Sequence, residues 1–371
     1  GQSWALSAPL SLSGASSQSL AVESGVLSLN GTFVTPGGIF ITTGGMLNLF
    51  NTAQAATVNL SSGGGLTLAN AAVLNISGNI TLSGGSSAAT GGSVTANNLS
   101  LSDASQWTQS GGSVTAPTIA LSGASQWTQT GGSVTANNLS LGDASRWAQG
   151  GNLAAASLAL SGGSEWTQVG GASFNLTGPL TLSGSVLNIS GDVRAASAEV
   201  LAGSSMLMTG QGTLFIPTIH VSSGSLFRLN SSDARFTLPA TTNLDLDSGS
   251  RYGVTVSRNP EVHSIMFAES FTPVEGVLLD TRVHSRQPSS GISSLPARDY
   301  FFQGVVQTQN PVVIPTSMQL AANSMRTLGM TANGNNADLG LSLRSINSVF
   351  GPNLEAADVW RVTSLPGDIQ R

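Results

Sequence analysis

Few side chains in this chain of 371 residues are of the types that perform acid–base chemistry. Asp103 and Asp143 occupy matching places two sequence repeats apart, about 10 Å at the spacing of β-strands. Two carboxylates about 5–10 Å apart are what a glycoside hydrolase needs. Gly123 stands at the matching place between them, however, and no third polar group accompanies the pair. The pattern therefore predicts turn residues rather than a catalytic pair.

Metal chemistry has equally little support in the sequence. Asp245 and Asp247 are two residues apart and would share one face of a strand. A calcium site is conceivable there, but a polar strand face is favoured. Three histidines lack the spacing of metal ligands: His220, His263 and His284. With no cysteine in the chain, disulfides and thiolate metal sites are excluded. We therefore predict no catalytic residue, no metal site, no cofactor and no enzyme activity.

The clearest repeat in the sequence is centred on tryptophan. A five-residue motif occurs four times, as Ser-Gln-Trp-Thr-Gln twice and then as Ser-Arg-Trp-Ala-Gln and Ser-Glu-Trp-Thr-Gln. Its tryptophans are Trp107, Trp127, Trp147 and Trp166, at steps of 20, 20 and 19 residues. A repeat this short does not fold alone, so it must be one coil of a stacked structure.

The tryptophans have two interpretations. The first is a ladder of buried rings between neighbouring coils. The second is an exposed aromatic strip that stacks on sugar rings, which would make all four tryptophans glycan-binding residues. Glutamines two positions further on share a face with the rings and would form an amide ladder or face a ligand: Gln109, Gln129, Gln149 and Gln168. The buried ladder is favoured.

Each coil is predicted to consist of two or three short β-strands. Apolar and small polar residues alternate over Ser-Val-Thr-Ala (113–116) and Thr-Ile-Ala-Leu (118–121), as expected for half-buried strands. Paired glycines mark the turns, and the density of Gly, Ser, Thr and Asn disfavours helices. The fold class predicted is all-β: a single-stranded parallel β-helix, or β-solenoid, of about a dozen coils of ~20 residues.

Two columns of apolar residues extend this period over some 200 residues. The first contains the residue before each turn: Leu12, Ile41, Leu60, Leu82, Leu101, Leu121, Leu141, Leu160, Leu182, Leu201, Val221 and Leu246. The second follows six positions later and includes Leu47, Leu66, the four tryptophans, Leu207, Phe227 and Tyr252. Each column is expected to be a ladder of like side chains inside the solenoid.

Composition divides the chain into three segments. Residues 1–38 are predicted to be an N-terminal cap or first coil, and residues 39–256 the solenoid. From residue 257 the period stops, and residues 257–371 are expected to be a β-rich capping or assembly module. Within this module we predict strands at 265–267, 277–279, 300–302, 311–315 and 339–343, a loop at 288–296, a helix at 317–328 and a helical turn at 356–362.

Charge is scarce and unevenly distributed. All 13 basic residues are arginines, none before Arg146, and the formal net charge is −5. This excludes the basic clusters that nucleic acids and anionic membranes need. No apolar run is long enough for a transmembrane helix, and no leader is recognisable. A neutral surface rich in Ser and Thr suits an extracellular or cell-surface protein whose partners are other copies of itself, other fibre subunits or glycans.

Nine Asn-x-Ser/Thr sequons are candidate glycosylation sites. The other interpretation is that this triplet is simply a frequent sequence in coils rich in Asn and Ser. The nine asparagines are Asn30, Asn59, Asn75, Asn79, Asn98, Asn138, Asn175, Asn188 and Asn230.

The coil pattern Gly-Gly-x-Val-x-Ala-x-x-Leu-x-Leu-x-x-Ala-Ser resembles the passenger regions of bacterial two-partner and autotransporter adhesins, notably filamentous-haemagglutinin-like proteins. The resemblance is one of repeat style and covers about residues 10–256. It implies a right-handed parallel β-helix exposed on a cell surface. The secretion-domain motif of that family is not visible, and the resemblance does not extend to residues 257–371.

The function expected is that of a non-catalytic structural or adhesive protein, a building block of a surface fibre, appendage or adhesin. One alternative is a glycan-binding module that uses the tryptophans. Another is a carbohydrate-active enzyme with its site in residues 257–371.

Overall fold

The computed structural model describes residues 2–12, 19–231, 234–256, 264–269, 271, 273–283, 300–310, 314, 318–323 and 326–343. These residues form β-strands and turns, with no α-helix among them. Two compact units, Gly1–Ser197 and Ala198–Arg371, make up the chain. Parallel strand pairing between successive coils dominates both, which confirms the predicted all-β parallel solenoid. Over the described part of the chain, no helix is long and apolar enough to span a membrane.

The first unit contains strands β1 to β27. They are β1 (Ser3–Leu6), β2 (Leu10–Ser11), β3 (Leu20–Val22), β4 (Val26–Leu29), β5 (Phe33–Val34), β6 (Gly38–Ile41), β7 (Met46–Leu49), β8 (Thr52–Ala55), β9 (Thr57–Leu60), β10 (Gly65–Leu68), β11 (Val73–Ile76), β12 (Asn79–Leu82), β13 (Ser87–Thr90), β14 (Ser93–Thr95), β15 (Asn98–Leu101), β16 (Gln106–Gln109), β17 (Ser113–Thr115), β18 (Thr118–Leu121), β19 (Gln126–Gln129), β20 (Ser133–Leu141), β21 (Arg146–Gln149), β22 (Asn152–Ser161), β23 (Glu165–Gln168), β24 (Phe174–Leu176), β25 (Pro179–Ser183), β26 (Val186–Ile189) and β27 (Val193–Arg194).

The strands of the second unit are β28 to β41, the first of which begins one residue before the unit. They are β28 (Ser197–Leu201), β29 (Ser205–Met208), β30 (Gln211–Phe215), β31 (Thr218–Val221), β32 (Leu226–Leu229), β33 (Arg235–Thr237), β34 (Asn243–Leu246), β35 (Arg251–Val256), β36 (Ile265–Ala268), β37 (Leu278–Val283), β38 (Tyr300–Thr308), β39 (Gln319–Asn323), β40 (Arg326–Asn333) and β41 (Asn336–Leu343).

A coil of the first unit has three strand positions, which we call faces 1, 2 and 3. In the coil that begins with Trp107 these are β16, β17 and β18, and each pairs in parallel with its counterpart in the next coil. In β20 and β22 the strands of faces 2 and 3 merge into one longer strand. Face 1 carries the tryptophans, and face 3 carries the leucine column predicted from the sequence.

The leucine column of face 3 is confirmed from Ile41 to Leu182, since Ile41 lies opposite Leu60 and Leu160 opposite Leu182. The first residue of the column is Val22 and not the predicted Leu12. The residue opposite Ile41 is Val22, whereas Leu12 follows a strand of face 2. The predicted column begins with a step of 29 residues, from Leu12 to Ile41. The observed step, from Val22 to Ile41, is 19 residues, the same as from Ile41 to Leu60.

In the second unit one member of each predicted column is displaced by one residue, whereas Val221 opposite Leu246 and Phe227 opposite Tyr252 are confirmed. Val200, not Leu201, lies opposite Val221, and Met206, not Leu207, lies opposite Phe227. Val200 and Met206 are fully buried. Because side chains alternate along a strand, a shift of one residue moves a side chain to the opposite face.

The turn before face 1 explains the small residues that recur there. Asp103 and Ala104 both have positive φ, of 54° and 61°, and so does the pair Gly123 (58°) and Ala124 (60°). Two successive left-handed residues reverse the chain, and small or Asx side chains tolerate this best. The assignment of Asp103 and Asp143 to turns is confirmed, since Asp143 has a φ of 50°.

Parallel pairing extends on both sides of residues 39–256. Residues 1–38 begin with a regular coil, because β1 pairs in parallel and in register with β4. Parallel pairing also continues beyond residue 256, where Tyr252 lies opposite Leu279 and β36 pairs with β33. Antiparallel pairing begins only with β38, which lies beside β41.

The helix predicted at 317–328 is wrong. Residues 319–323 and 326–333 form an antiparallel hairpin, β39 and β40, with Leu320 opposite Leu328. Met318, Ala321, Met325 and Leu328 have the spacing of one helix face, which is the basis of that prediction. Strand pairing overrides this periodicity, because β40 also pairs along its whole length with β41. Strands predicted at 265–267, 300–302 and 339–343 are confirmed, and that at 277–279 begins at Leu278. Of 311–315 only residue 314 is described, and 288–296 and 356–362 lie outside the described residues.

Candidate functional site

The four repeated tryptophans form one continuous stack. Neighbouring strands of face 1 pair so that Trp107 lies opposite Trp127, Trp127 opposite Trp147, and Trp147 opposite Trp166. Ring centroids are 5.0, 4.2 and 4.8 Å apart, with interplanar angles of 22°, 6° and 14°. Such parallel strands hold like side chains at the spacing of stacked rings, so the backbone register sets the ring contact.

This stack lies in the core. At most 1% of each tryptophan is exposed to solvent. A ring covered on both faces and at its edge cannot stack on a sugar, so the interpretation of Trp107, Trp127, Trp147 and Trp166 as glycan-binding residues is corrected. The buried ladder, the favoured interpretation, is what the structure contains.

The glutamines two positions further on are buried as well, but they do not form the expected amide ladder. Each amide instead donates from Nε2 to backbone carbonyls, one in its own coil and one in the next. Gln149 Nε2, for example, donates to Gly151 O at 3.1 Å and to Ser173 O at 2.6 Å. The glutamines therefore join the turn between faces 1 and 2 of one coil to that of the next.

One glutamine also accepts from a tryptophan. Trp166 Nε1 donates to Gln149 Oε1 at 3.3 Å. In the coils before it, Trp127 Nε1 and Gln109 Oε1 are buried without a hydrogen-bond partner, as are Trp147 Nε1 and Gln129 Oε1. Some of the buried polar atoms along the stack therefore lack a hydrogen bond, which costs free energy. Because the rings and amides are in register, they would have to move together to form the missing bonds.

Sequence reasoning missed a second polar column. The serine that precedes each tryptophan by two residues is buried, and its hydroxyl donates to the carbonyl of a face-3 leucine in the preceding coil. Ser105 Oγ donates to Leu82 O at 3.0 Å, and Ser125 Oγ to Leu101 O at 3.3 Å. The recurrence of Ser in every copy of the motif is the signal that could have revealed it.

Three titratable side chains of the second unit lie in contact with one another. Glu199 lies in β28, His220 in β31, and Asp247 directly follows β34. His220 Nδ1 lies 2.8 Å from Glu199 Oε2, and Nε2 lies 3.2 Å from Asp247 Oδ2. The hydrogen bond to Glu199 raises the pKa of His220, against the opposing effect of partial burial, and Asp247 adds to the increase. This cluster joins three successive coils by charge.

Asp245 and Asp247, the residues of the conceivable calcium site, lie in or beside this cluster. Asp245 lies opposite His220 in the ladder and is exposed, whereas Asp247 is half-buried. Both lie on the outer face of the strand, as a polar strand face predicts. Within the described residues, no group of three or more His, Asp or Glu side chains is arranged to hold a metal ion. His263 and His284 lie outside that part of the chain.

A second charged contact is buried. Arg228 is fully covered, and its guanidinium forms an ion pair with Asp280, which is also 3.9 Å from Arg251. Gly253 lies between Arg228 and Asp280 in the ladder. A Cβ at Gly253 would come within 2.6 Å of Arg228 Nε, so only glycine leaves room for the arginine to reach its partner. Nearby, complete burial raises the pKa of the Tyr252 hydroxyl.

The surface of the first unit carries a shallow neutral groove. Its volume is about 540 Å³, and Gln54, Asn75 and Thr95 form an outward polar column along it. Leu12, Val34 and Pro36 add apolar walls. No charged residue lines it, so it suits a neutral ligand with hydroxyl groups.

The nine sequon asparagines lie on strands or immediately after them. Five are exposed and four are half-buried. Some side chains join neighbouring coils: Asn98 Nδ2 donates to Asn79 Oδ1 at 2.8 Å, and Asn138 Oδ1 accepts from Ser157 Oγ at 3.1 Å. The exposed asparagines are Asn30, Asn79, Asn98, Asn138 and Asn175, and the half-buried ones are Asn59, Asn75, Asn188 and Asn230.

No protein-family description, curated protein or solved structure matches this chain. The interpretation of its function therefore depends on the geometry above.

Proposed function

We propose that this chain is a non-catalytic structural protein, a repetitive building block of an extracellular fibre, appendage or adhesin. The observation that supports the proposal is where the side chains of the repeated motif lie. Its serine, tryptophan and glutamine all point into the core, where they contact the neighbouring coil or its backbone. The most regular residues of the sequence therefore serve stacking, and a stacked scaffold is what they build.

The outer columns support a role in contacts with neutral partners. In face 2, Ser113 lies opposite Ser133 and Thr115 opposite Thr135, which gives rows of hydroxyl groups. Before Arg146 the sequence contains only three charged residues, Glu23, Asp103 and Asp143. Uncharged polar rows of this kind favour other protein surfaces or glycans over nucleic acid.

Two measurements test the proposal. Antibody raised against the chain should label intact cells that produce it, with no gain after permeabilisation. Electron microscopy of the purified chain should reveal ordered assemblies. Label confined to permeabilised cells, or release of sugar from a polysaccharide panel by the purified chain, would overturn the proposal.

The neutral groove favours glycan binding as a second candidate function. The amides of Gln54 and Asn75 and the hydroxyl of Thr95 are the groups that hold neutral sugars. A glycan array should detect binding that Gln54→Ala weakens at least tenfold. Asn138→Ala, on the outer side of β20 and outside the groove, is the matched control. Equal binding by both variants would exclude this groove.

Glycosylation of the sequons belongs to the same extracellular proposal. Exposed asparagines such as Asn30 and Asn175 are the accessible acceptors. A mobility shift that disappears on enzymatic deglycosylation would establish the modification in the native host.

A further inference from the structure

A pocket of about 320 Å³ lies on the outer surface of the second unit. It includes the outer side of β36, which lies between β33 and β38. Phe236, Met266 and Val306 occupy paired inward positions of these strands and are buried. Because side chains alternate along a strand, the next residue of each strand points outward. A hydroxyl, a phenyl ring and an amide therefore lie side by side, from Thr237, Phe267 and Gln307.

The phenyl ring of Phe267 contributes an apolar surface within the pocket. The side chain is 37% exposed, whereas Met266 before it and Ala268 after it are buried. Neighbouring strands of a sheet are about 4.8 Å apart, so the side chains of Thr237 and Gln307 flank the ring. A concave site with an aromatic surface and a few polar groups around it is typical of sites that bind small molecules.

Backbone hydrogen bonds hold both walls of the pocket against β36. On one side, Leu238 N donates to Phe267 O at 2.7 Å. On the other, Gln309 N donates to Glu269 O at 3.1 Å, and Asn335 Nδ2 donates to Gln309 O at 2.9 Å. The fold itself therefore positions the walls, and binding does not have to order them.

Polar side chains beside the ring are free to contact a ligand. Among the described residues, neither the Glu269 carboxylate nor the Gln307 amide has a side-chain hydrogen bond or ion pair. An amide both donates and accepts, and a carboxylate accepts from more than one hydroxyl group. Glu269 is the one charged residue among the described residues that line the pocket. The pocket therefore suits a ligand with several hydroxyl groups and disfavours an anion.

We propose that this pocket binds a pyranose residue of an uncharged glycan. The C–H face of the sugar lies on the Phe267 ring, whose negative π face attracts the slightly positive hydrogens of C–H bonds. Hydroxyl groups at the edge of the sugar donate to the Glu269 carboxylate and exchange hydrogen bonds with the Gln307 amide. This inference rests on the proposed contacts with neutral partners, and it adds a binding site separate from the groove of the first unit.

An organic cation is the competing ligand, since a ring and a carboxylate also attract an ammonium group. Quaternary ammonium ligands are typically held by cages of several aromatic rings. Phe267 is the one aromatic side chain among the described residues that line this pocket. The amide of Gln307 and the hydroxyl of Thr237 have no role toward a cation without polar hydrogens, whereas both serve a sugar. The sugar is therefore favoured.

Calorimetric titration of the full chain tests the proposal. The probes are soluble oligomers of glucose, mannose, galactose and xylose, and all variants are made in the Gln54→Ala chain, which removes the first-unit groove. At least one neutral oligomer should bind. Phe267→Ala should weaken this binding by about tenfold or more, and Phe267→Tyr, which keeps the ring, should retain it. Phe40→Ala is the control, because Phe40 is 41% exposed on the outer side of β6 and lies outside the pocket.

A second pair of variants tests the role of the carboxylate. Glu269→Gln should increase the binding of a galacturonic acid oligomer relative to the neutral oligomers, because it removes the charge that repels an anion. Glu23→Gln, which changes an exposed carboxylate of the first unit, should leave this ratio unchanged. A merely structural role of Glu269 would not alter the selectivity. These variants and Phe267→Tyr also maintain the test if Phe267→Ala does not fold.

Three results would overturn the inference. They are the absence of binding of any neutral oligomer, equal loss of binding in the Phe267→Ala and Phe40→Ala chains, and binding of choline but of no sugar. Surface labelling of intact cells would still support the structural role in each case. Sugar binding that Gln54→Ala alone abolishes would assign it to the first-unit groove, so the failures are distinguishable.

Discussion

The indole rings of Trp127 and Trp147 lie 4.2 Å apart, within 6° of parallel, and both are 1% exposed. They occupy paired positions of β19 and β21, twenty residues apart in the chain. The stack is thus a direct product of backbone register, and its energetic weight can be measured.

Trp127→Ala should destabilise the first unit by about 3–5 kcal/mol, because it removes a fully buried ring from between two others and leaves a cavity. Chemical denaturation followed by tryptophan emission measures the change. Trp4→Ala is the matched control in the same column, and its cost should stay below about 1 kcal/mol since Trp4 is 65% exposed. Similar costs for both variants would contradict a buried ladder.

Gln149→Leu should cost about 2–4 kcal/mol. The substitution removes the donor to Ser173 O and the acceptor of Trp166 Nε1, both buried. Thermal unfolding monitored by circular dichroism measures the loss. Gln126→Leu changes an exposed glutamine of β19 and should leave the melting temperature within about 2 °C.

Ala124→Gly should stabilise the protein, by up to about 1 kcal/mol, because Ala124 has a φ of 60° and glycine adopts this conformation without steric cost. Denaturant titration measures the gain. Ala116→Gly, at a buried position where φ is not positive, should instead destabilise. A loss at residue 124 equal to that at 116 would show that the turn does not strain alanine.

Gly253→Ala should destabilise the second unit by about 1–3 kcal/mol, since the new methyl group would displace the Arg228 side chain from Asp280. Gly170→Ala is the control, because nothing lies within 4 Å of a Cβ there. Thermal unfolding of both variants provides the comparison, and equal melting temperatures would contradict the tight fit.

The His220 cluster predicts a pH dependence. Because the folded-state pKa of His220 is raised above the ordinary 6.5, its contribution to stability is fully present below pH 6.5 and is lost as pH rises through the folded value. The melting temperature should therefore fall between pH 6 and 8.5 by more in the parent than in His220→Gln. The difference should be worth no more than about 1 kcal/mol, since the cluster is partly exposed. Identical profiles would show that the imidazole does not link the coils.

Much of this fold could be predicted from the sequence. Ile41, Leu60 and the tryptophans recur at nearly constant steps, and strands that stack in parallel bring residues of equal phase together. The turn role of Asp103 followed from Gly123 at the matching place. These features are local or periodic, so comparison of successive repeats in the sequence is enough to predict them.

The tertiary structure alone decided what depends on exact register and burial. In one coil of the second unit it placed Val200 and Met206 in the two columns instead of Leu201 and Leu207, because a shift of one residue reverses the face of a strand. Burial of Trp127 is likewise a property of the closed coil, since the same alternation would fit an exposed strip. The contacts between His220 and Glu199 and between Arg228 and Asp280 join residues 21 and 52 positions apart. No local pattern specifies such pairs, because the lengths of the intervening coils determine which side chains meet.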